Sequence, residues 1–263
     1  MSATTGQPDV VAAFDFDGTL TDGGSVWRFL AAVAGWPAVL RATVPLVPRI
    51  AVAALVGGEQ ADTTKERLFR AVLAGLPADI IGKRAESFGL SHFERHARPE
   101  MVARLQDHLR AGHRVAIVSA SPEIYLRPVA DRLGAHTVIA TRLAVDGDGR
   151  LTGGYDGANC RGAQKAQRLI AWAAEATGTS RQGPGAARDG AAGTIAIWAY
   201  GNSAGDLAML RVATVAVGVG RLGRLGRLRG FPTLRDAPRP VGNPAVAPPG
   251  APGAHQARAA ADG

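Results

Sequence analysis

VVAAFDFDGTLT, residues 10–21, is the stretch on which the predicted fold depends, because it opens with a short apolar run typical of a buried strand in a parallel sheet. Asp15 and Asp17 follow at the carboxyl end of that strand, where open α/β sheets bind their ligands. While the chain stays extended, residues two apart point to the same face, so the two carboxylates should lie close together. Two adjacent negative charges require a cation between them or a proton on one of them, unless the aspartates only cap the next turn. The rest of the chain has to decide between these interpretations.

The length and composition are those of a globular protein with a substantial core. The 263 residues suffice for one large or two modest domains, and 46% of them are hydrophobic while 20% are charged. The single cysteine, Cys160, excludes an intramolecular disulfide framework and is typical of a reducing compartment. The first residues lack the basic and apolar regions of a secretory signal, so we expect a cytoplasmic protein.

Most of the positive charge lies in the last part of the sequence. Residues 221–263 contain seven arginines and two aspartates, which account for +5 of the net charge of +8. These arginines are not interleaved with aromatic residues, so we expect no nucleic-acid partner. The near-repeat RLGRLGRLRG, together with the Pro, Ala and Gly that follow it, predicts a poorly ordered tail over residues 221–263.

Short apolar segments alternate with amphipathic ones through much of the chain. After the first strand, strands are predicted over residues 113–119, 137–140, 194–200 and 214–217. Helices are predicted over residues 101–111, 122–133, 163–176 and 206–211. Asp146-Gly147-Asp148-Gly149 joins two short strand-like pieces and predicts a β-hairpin, and the Gly-rich residues 178–193 predict a mobile surface loop. The alternation as a whole predicts an α/β fold with a doubly wound, Rossmann-like parallel sheet.

Residues 24–98 interrupt this alternation with a block that is predicted to be almost entirely helical. Helices are predicted over 26–33, 64–74 and 78–95, the second opened by a capping box from Thr63 to Glu66. Residues 36–58 are strongly apolar, but prolines and arginines leave no run long enough to span a membrane. Both a docked helical segment and a weak membrane-interface role are compatible with this pattern. The predicted domains are a core of residues 1–23 and 99–220, an inserted helical cap of residues 24–98, and the tail.

Three strand ends and one helix carry polar residues that suit phosphate chemistry. They are Asp15 with Asp17, Ser119, Asn202 with Asp206, and Lys165 near a helix start. Carboxylate and amide oxygens suit a hard cation such as magnesium. A hydroxyl, a lysine and a helix amino end, here predicted at Pro122 with Ser121 as its cap, suit a phosphate group. Each residue alone has an ordinary structural explanation, but one carboxylate left free to attack would make the set suit phosphoryl transfer.

These residues stand in motifs that resemble those of the haloacid dehalogenase-like phosphohydrolases. Phe14-Asp15-Phe16-Asp17-Gly18-Thr19-Leu20-Thr21 is similar to the signature of that superfamily, and Ile117-Val118-Ser119-Ala120-Ser121 resembles its second motif. Lys165 resembles the third motif, and Gly201-Asn202-Ser203-Ala204-Gly205-Asp206-Leu207-Ala208-Met209-Leu210 resembles the fourth. The resemblance covers residues 9–218 in the right order, and the helical block resembles the cap of the phosphoserine-phosphatase-like subfamily.

The resemblance implies a magnesium-dependent phosphomonoester hydrolase with an aspartyl-phosphate intermediate. Asp15 would attack phosphorus, and Asp17 would protonate the leaving alcohol and then activate water. Lys165 would neutralise charge on the phosphate and on Asp15. The implied phosphate-binding residues are Gly18, Thr19, Ser119, Ala120 and Lys165, and the implied Mg²⁺ ligands are Asp15, Asp17 through its main-chain carbonyl, Asn202 and Asp206.

Two departures from the family pattern bear on metal and substrate. Many relatives have Asp where this chain has Asn202, so we expect Asn202→Asp to tighten magnesium binding. Phosphoserine phosphatases carry a glutamate where an ungapped count reaches Gly24, and Gly-Gly where this chain has Ala120-Ser121, which disfavours phosphoserine. The expected substrate is a small phosphorylated metabolite or a lipid head group, with peripheral membrane contact as a hypothesis. The alternative function is a catalytically weak phosphate-binding or membrane-associated interaction protein on the same scaffold.

Overall fold

A central sheet of five parallel strands organises the computed structural model, which describes residues 9–50, 58–178, 195–220 and 230–241. The strands are β1 (Val10–Phe14), β2 (Arg114–Pro122), β3 (Thr137–Thr141), β6 (Ala196–Gly201) and β7 (Val215–Gly218). Their order across the sheet is β3-β2-β1-β6-β7, and every neighbouring pair is parallel. Because β1 lies in the centre, with β2 on one side and β6 on the other, its carboxyl end is the point where the strand order reverses.

Alternate residues of β1 belong to two separate hydrophobic clusters on the two faces of the sheet. Ala12 and Phe14 pack with α5 (Pro99–Arg110) and α6 (Glu123–Leu133). Val11 and Ala13 pack with α7 (Ala163–Ala176) and α8 (Leu207–Arg211). Residues 11–14 of β1 are fully buried, as expected for a strand covered on both faces. The prediction of a doubly wound α/β sheet is confirmed.

The helical block lies between β1 and α5 and contains α1 (Val26–Ala34), α2 (Trp36–Thr43), a 3₁₀ turn (Val44–Leu46), α3 (Gly58–Leu73) and α4 (Ala78–His96). The chain enters and leaves it along paired backbone segments. The amide of Asp22 donates to the oxygen of His96 at 2.9 Å, and the amide of Arg98 donates to the oxygen of Leu20 at 2.8 Å. The block is therefore a helical insertion after the first strand. Part of the apolar segment, residues 51–57, lies outside the described residues.

The capping box predicted at Thr63 is wrong, because α3 begins at Gly58 and Thr63 lies inside the helix. The Thr64 hydroxyl donates to the main-chain oxygen of Gln60 at 2.6 Å, which is the bond a threonine makes within a helix. Glu and Gln before Thr63 have good helix propensity and extend the helix toward its amino end.

The cap predicted at Ser121 is also wrong. Helix α6 begins at Glu123, Pro122 occupies the N-cap position, and no side-chain capping bond is present at that end. Ser121 belongs to β2, and its hydroxyl donates a short hydrogen bond to a carboxylate oxygen of Asp17. Ser121 therefore makes a tertiary contact with Asp17 instead of capping α6.

The predicted hairpin is confirmed as antiparallel β4 (Leu143–Val145) and β5 (Leu151–Tyr155). It packs directly on α3. Gly153 has φ +75°, and a Cβ atom there would lie 2.3 Å from the Cα atom of Arg70, so only glycine permits this close approach. The hairpin thereby supports the helix that covers the carboxyl edge of the sheet.

Residues 230–241 differ from the poorly ordered tail that composition predicts. The amide of Gly218 donates to the oxygen of Pro232 at 2.9 Å, and the guanidinium of Arg104 donates to the oxygen of Pro238 at 2.6 Å. Ala237 is buried in the larger hydrophobic cluster. These contacts attach the segment to the core. Residues 221–229 and 242–263 of the predicted tail, residues 179–193 of the predicted loop and the first residue of the strand predicted from 194 lie outside the described residues.

No helix within the described ranges is long and apolar enough to cross a membrane.

Candidate active site

Asp15 follows β1 directly and forms a buried ion pair with Lys165 of α7. The Lys165 Nζ donates to Asp15 Oδ1 at 2.6 Å and to Asp206 Oδ1 at 2.6 Å. Asp15 is 5% exposed, Lys165 2% and Asp206 1%. The Asp15 amide donates to the oxygen of Tyr200 at 2.9 Å, which extends the pairing of β1 with β6 by one residue. Three residues that are far apart in the sequence therefore meet at the switch point of the sheet.

Burial and the charge of the ion-pair partner have opposite effects on the pKa of each of these three groups. Burial and the negative charge of Asp206 raise the pKa of Asp15 to about 7, although Lys165 opposes this shift. Burial alone would raise the pKa of Asp206, but the charge and hydrogen bond of Lys165 outweigh it and lower that pKa. Burial disfavours the ammonium of Lys165, yet the two carboxylates raise its pKa. One buried ammonium thus does not fully compensate the carboxylates around it.

The chain turns sharply after Asp15 through residues 16–20. Gly18 has φ +81°, and a Cβ atom there would lie 1.9 Å from the Nδ2 atom of Asn202. Glycine at this position lets the turn lie directly against the Asn202 side chain. The hydroxyl of Thr19 donates back to Asp15 Oδ2 at 3.0 Å. Gly18, Thr19 and Asn202 therefore lie together beside Asp15.

Asp17 lies on the turn and faces the cavity described below. Its Oδ1 accepts a hydrogen bond from the amide of Ser25 at 2.8 Å, and its Oδ2 accepts one from the hydroxyl of Ser121. The Ser25 hydroxyl lies 2.6 Å from the Tyr125 hydroxyl, so the contact continues into the buried face of α6. Burial raises the pKa of Asp17, and the hydrogen bonds from Ser121 and Ser25 reduce this shift. A carboxyl with a raised pKa holds its proton more readily than an ordinary aspartate, which suits a proton donor.

Ser119 and Ala120 lie at the carboxyl end of β2, beside β1. Ser119 is 1% exposed, and its Oγ accepts a hydrogen bond from the amide of Ser121 at 3.1 Å. The pairing of Phe14 with Ile117 places Ser119 just beyond the last paired residues of the two strands. The main-chain oxygen of Ala120 accepts hydrogen bonds from Lys65 and Thr141. The second motif therefore reaches the same edge of the sheet as Asp15.

Asp206 has a different surrounding from the one predicted for a metal ligand. Its Oδ1 accepts from Lys165, and its Oδ2 accepts from the Ser203 amide at 2.9 Å and the Ser203 hydroxyl at 2.7 Å. The capping box suggested by the spacing of Ser203 and Asp206 is present. Both carboxylate oxygens of Asp206 thus accept hydrogen bonds, as both oxygens of Asp15 do, and the role of Asp206 as a metal ligand stays a prediction. Its contacts position Lys165 and the loop that carries Asn202.

A cavity of about 430 Å³ opens beside Asp17 between the core and the helical block. Its lining combines the apolar residues Val26, Trp27, Ile50 and Leu68 with the polar residues Asp62, Lys65, Asn159 and Arg161. The Arg161 guanidinium lies 3.2 Å from Asp62 Oδ1, and Asn159 Nδ2 donates to the same atom at 2.8 Å. This polar wall joins α3 to the loop before α7, so the helical block contributes directly to the cavity.

Lys65 of α3 is a site residue that the sequence reasoning missed. Its Nζ donates to the main-chain oxygen of Ala120 at 2.5 Å and to Asn159 Oδ1 at 3.5 Å. Burial lowers the pKa of Lys65 to about 8, although the charges of Asp17 and Asp62 oppose the shift. No local pattern signals this role, because its partner Ala120 lies 55 residues away. Ser25 and Ser121 were missed as Asp17 partners for the same reason.

The oxygen donors beside Asp15 fit a hard cation of the magnesium type. Within the part of the chain that the structure describes, no group of three or more His, Cys, Asp or Glu side chains has a metal-site arrangement. A bound Mg²⁺ would instead rely on the carboxylate of Asp15, the main-chain carbonyl of Asp17 and the side-chain amide of Asn202. The raised pKa of Asp15 indicates that a second positive charge would be favourable at this position.

Comparison with known proteins agrees with this site and fold. A model of the haloacid dehalogenase-like hydrolase family matches residues 12–211. Protein CicA of Caulobacter vibrioides is 37% identical over 172 residues, covering 64% of this chain and 75% of CicA. Histidinol-phosphatase of Neisseria meningitidis serogroup C is 30% identical over 142 residues, covering 53% of this chain and 59% of that protein.

A solved structure described as a phospho-aspartyl intermediate analogue of phosphoserine phosphatase has the same fold. It superposes with a TM-score of 0.55 at 20% identity, covering 81% of this chain and 87% of that one. The match to the family model spans most of the chain and includes Asp15, Ser119, Lys165 and Asp206. The chain therefore belongs to the haloacid dehalogenase-like hydrolases and is an enzyme of their phosphatase type.

Proposed function

We propose that the protein is a magnesium-dependent phosphomonoesterase that acts through an aspartyl-phosphate on Asp15. The observation that carries this proposal is the buried ammonium of Lys165, held 2.6 Å from both Asp15 and Asp206 at the edge of the sheet. This arrangement holds one carboxylate in place beside a cavity while Asp17, two residues further on, lines the cavity itself. Two carboxyl groups with different surroundings are what a nucleophile and an acid/base require.

In the first step a carboxylate oxygen of Asp15 forms a bond to phosphorus, and the bond from phosphorus to the ester oxygen breaks. Asp17 donates its proton to that leaving oxygen, which departs as an alcohol. The raised pKa of Asp17 favours the protonated form that this step needs. The hydrogen bonds from Ser25 and Ser121 hold the Asp17 carboxyl toward the cavity.

In the second step Asp17, now ionised, accepts a proton from water as the water oxygen attacks phosphorus. The bond between phosphorus and the Asp15 oxygen breaks, and inorganic phosphate leaves. Lys165 keeps Asp15 oriented in both steps and offsets the negative charge that develops. Ser119 and the main chain at Gly18, Thr19 and Ala120 are the groups we assign to the phosphoryl oxygens.

Magnesium bound by Asp15, the carbonyl of Asp17 and Asn202 would supply positive charge to the phosphoryl oxygens. Because Asn202 is neutral, we expect weaker metal affinity than an aspartate would provide. Asn202→Asp should therefore lower the magnesium concentration that gives half-maximal turnover. Unchanged or weaker magnesium dependence would contradict the assignment of Asn202 as a ligand.

The cavity suits a small phosphomonoester whose leaving group has both apolar and polar parts. Its lining includes the apolar side chains of Trp27 and Leu68 and the positively charged side chains of Lys65 and Arg161. Gly24 offers no side chain that could hold the amino group of phosphoserine, which disfavours that substrate. A panel of soluble phosphate esters should include histidinol phosphate, because one relative bears the name histidinol-phosphatase.

The test is hydrolysis of a generic aryl phosphate with and without magnesium. Asp15→Asn should lose turnover by about 10⁴-fold or more, whereas the same change at the exposed Asp79 should leave it intact. An aryl phosphate needs little acid assistance to leave, so Asp17→Asn should slow the second step more than the first. Mass spectrometry of the acid-quenched Asp17→Asn enzyme should then find one phosphoryl group on the peptide that contains Asp15.

The outcomes separate the two functions considered for this scaffold. Equal turnover in Asp15→Asn and in the Asp79 control would remove Asp15 as the nucleophile. Phosphate binding without any magnesium-dependent hydrolysis would favour a phosphate-binding interaction protein instead.

A further inference from the structure

The outward side of α2 and the turn after it is apolar. Trp36 is 56% exposed, Leu40 60%, Val44 70% and Val47 54%. Their spacing places all four on one side of the helical segment, and we call them the outer stripe. Contiguous exposed apolar residues of this size mark a surface that contacts another apolar phase or a partner.

The opposite side of the same segment already forms the connection to the core. Val39, Ala42 and Leu46 are buried in the larger hydrophobic cluster, with exposures of 1%, 9% and 8%. Packing among the described residues therefore accounts for the inner residues but not for the outer stripe.

The segment that bears the outer stripe is entirely free of negative charge. Between Asp22 and Glu59 the sequence has three arginines and no acidic residue. Arg28, Arg41 and Arg49 are all exposed. An exposed apolar stripe that includes tryptophan and is accompanied by arginine complements the interface of an anionic lipid bilayer.

The outer stripe lies close in the sequence to residues that line the cavity. Trp27 and Ile50 line the cavity, and the stripe lies between them along the chain. Trp27 is also 40% exposed, so its ring takes part in both the cavity wall and the outer surface. A surface on which the outer stripe rests would therefore lie close to the cavity.

We propose that the outer stripe docks the protein on the surface of an anionic lipid bilayer and so presents the cavity to phosphomonoesters carried by lipids. The second half of this proposal rests on the proposed phosphatase function, whereas docking itself does not. Trp36, Leu40, Val44 and Val47 enter the interfacial region, and the arginines contact the anionic head groups.

The charge of the segment distinguishes a lipid surface from two other occupants. A second copy of the chain docked by a symmetric interface would bring the same arginines together without any acidic residue of this segment to offset them. The Arg-rich residues 221–229 of the same chain would add further positive charge. An anionic bilayer instead supplies the opposite charge together with an apolar layer.

The experiment is flotation of the full chain with vesicles of phosphatidylcholine alone or of phosphatidylcholine mixed with phosphatidylglycerol. We expect binding to the mixed vesicles, weakened roughly tenfold by each of Leu40→Ser and Val44→Ser. Arg41→Gln should weaken it by about fivefold. Ile170→Ser is the matched control, because Ile170 on α7 is 48% exposed and lies outside the stripe.

The same variants should hydrolyse a soluble aryl phosphate as the parent protein does. Absence of binding to mixed vesicles, or equal binding by Leu40→Ser and Ile170→Ser, would overturn the docking proposal. Self-association that Leu40→Ser abolishes would overturn it in favour of a second copy. If docking holds but a vesicle-borne phosphomonoester is hydrolysed no faster than its soluble counterpart, the presentation of lipid substrates is overturned. Loss of aryl phosphate hydrolysis in the parent would contradict the phosphatase proposal alone.

Discussion

Replacing Lys165 with methionine should destabilise the protein more than any change at an exposed lysine. Methionine keeps an unbranched chain of similar length, so the packing around the side chain is largely retained. What it removes is the ammonium that donates to Asp15 and to Asp206, each at 2.6 Å. Two buried carboxylates are then left without their shared counter-charge.

The expected loss of stability in Lys165→Met follows from the burial of the ion pair and depends on pH. Removing one partner of a buried ion pair costs about 3–5 kcal/mol, so we expect a loss of about 4 kcal/mol in the free energy of unfolding at pH 8. At pH 5 the loss should be smaller, about 2 kcal/mol, because Asp15 can be neutralised by a proton. Its pKa is already raised from 3.8 to about 7 with Lys165 present.

The sign of this pH dependence comes from proton binding. Without Lys165 the native-state pKa values of both carboxyls rise, so the folded variant binds more protons than the unfolded chain above pH 3.8. The stability of the variant therefore falls as pH increases through that window. In the parent protein the raised pKa of Asp15 also makes stability fall over this window, but by a smaller amount, because Lys165 lowers that pKa. The raised pKa of Lys165 gives a contribution that is fully present below its ordinary value of 10.5, so it is constant between pH 5 and pH 8.

Urea unfolding followed by circular dichroism, in metal-free buffer at both pH values, measures this effect. Lys83→Met is the matched control, because Lys83 on α4 is exposed and the chemical change is the same. Turnover of an aryl phosphate by Lys165→Met should also fall by about 10²–10³-fold. A variant as stable as the Lys83 control, or one whose deficit is equal at the two pH values, would refute the role assigned to the buried ion pair.

Three further changes test other parts of the site and core. Gly18→Ala should reduce turnover by about 100-fold, because φ is +81° and the new Cβ would lie 1.9 Å from Nδ2 of Asn202. Gly24→Ala is the control: its Cβ would have no atom within 4 Å, so turnover should be unchanged. Equal effects of the two substitutions would contradict the role assigned to Gly18. Lys65→Met should raise KM by about tenfold at pH 7. Because burial lowers the Lys65 pKa to about 8, the KM of the parent should rise above that pH, whereas the KM of the variant should stay level. If KM depended on pH in the same way in both proteins, the charge of Lys65 would have no role in substrate binding. Burial lowers the pKa of His108 to about 3, so protonation of the unfolded chain at this residue should remove up to about 2 kcal/mol of stability as pH falls from 6.5 to 5, against the gain from the raised pKa of Asp15. His108→Phe should lack this unfavourable contribution, so over that range its stability in chemical unfolding should shift upward relative to the parent by up to about 2 kcal/mol. An unchanged slope would mean that His108 is not the titrating group.

The positions of the strands and of the four motifs could be predicted from local sequence. The apolar run before Asp15, the hairpin at Asp146 and the helix from Ala163 to Ala176 are each determined by patterns within a few residues. Parallel strands bring their carboxyl ends to one edge, so the meeting of Asp15, Ser119 and Asn202 also followed from topology.

The partners of each side chain could not be predicted in this way. A lysine within Thr63-Thr64-Lys65-Glu66 has the local pattern of a solvated helix residue, yet Lys65 contacts Ala120 across the cavity. Ser121 has the local pattern of a helix cap, yet it donates to Asp17. Both contacts form because the helical block packs closely on the sheet, and the sequence of a short segment does not predict that packing.

The sequence by itself therefore determined the fold class, the order of the motifs and the residues that carry the chemistry, because hydrophobic periodicity and turn residues act over short distances. The tertiary structure alone decided that Lys165 is shared by two buried carboxylates and that Ser203 donates to the second oxygen of Asp206. It also decided that Trp36, Leu40 and their neighbours face outward, whereas the inner side of the same helix is buried. Burial and long-range pairing arise only when the helices and the sheet pack together. The sequence of an apolar segment does not say which of its faces will cover the core and which will remain exposed, because that depends on the packing.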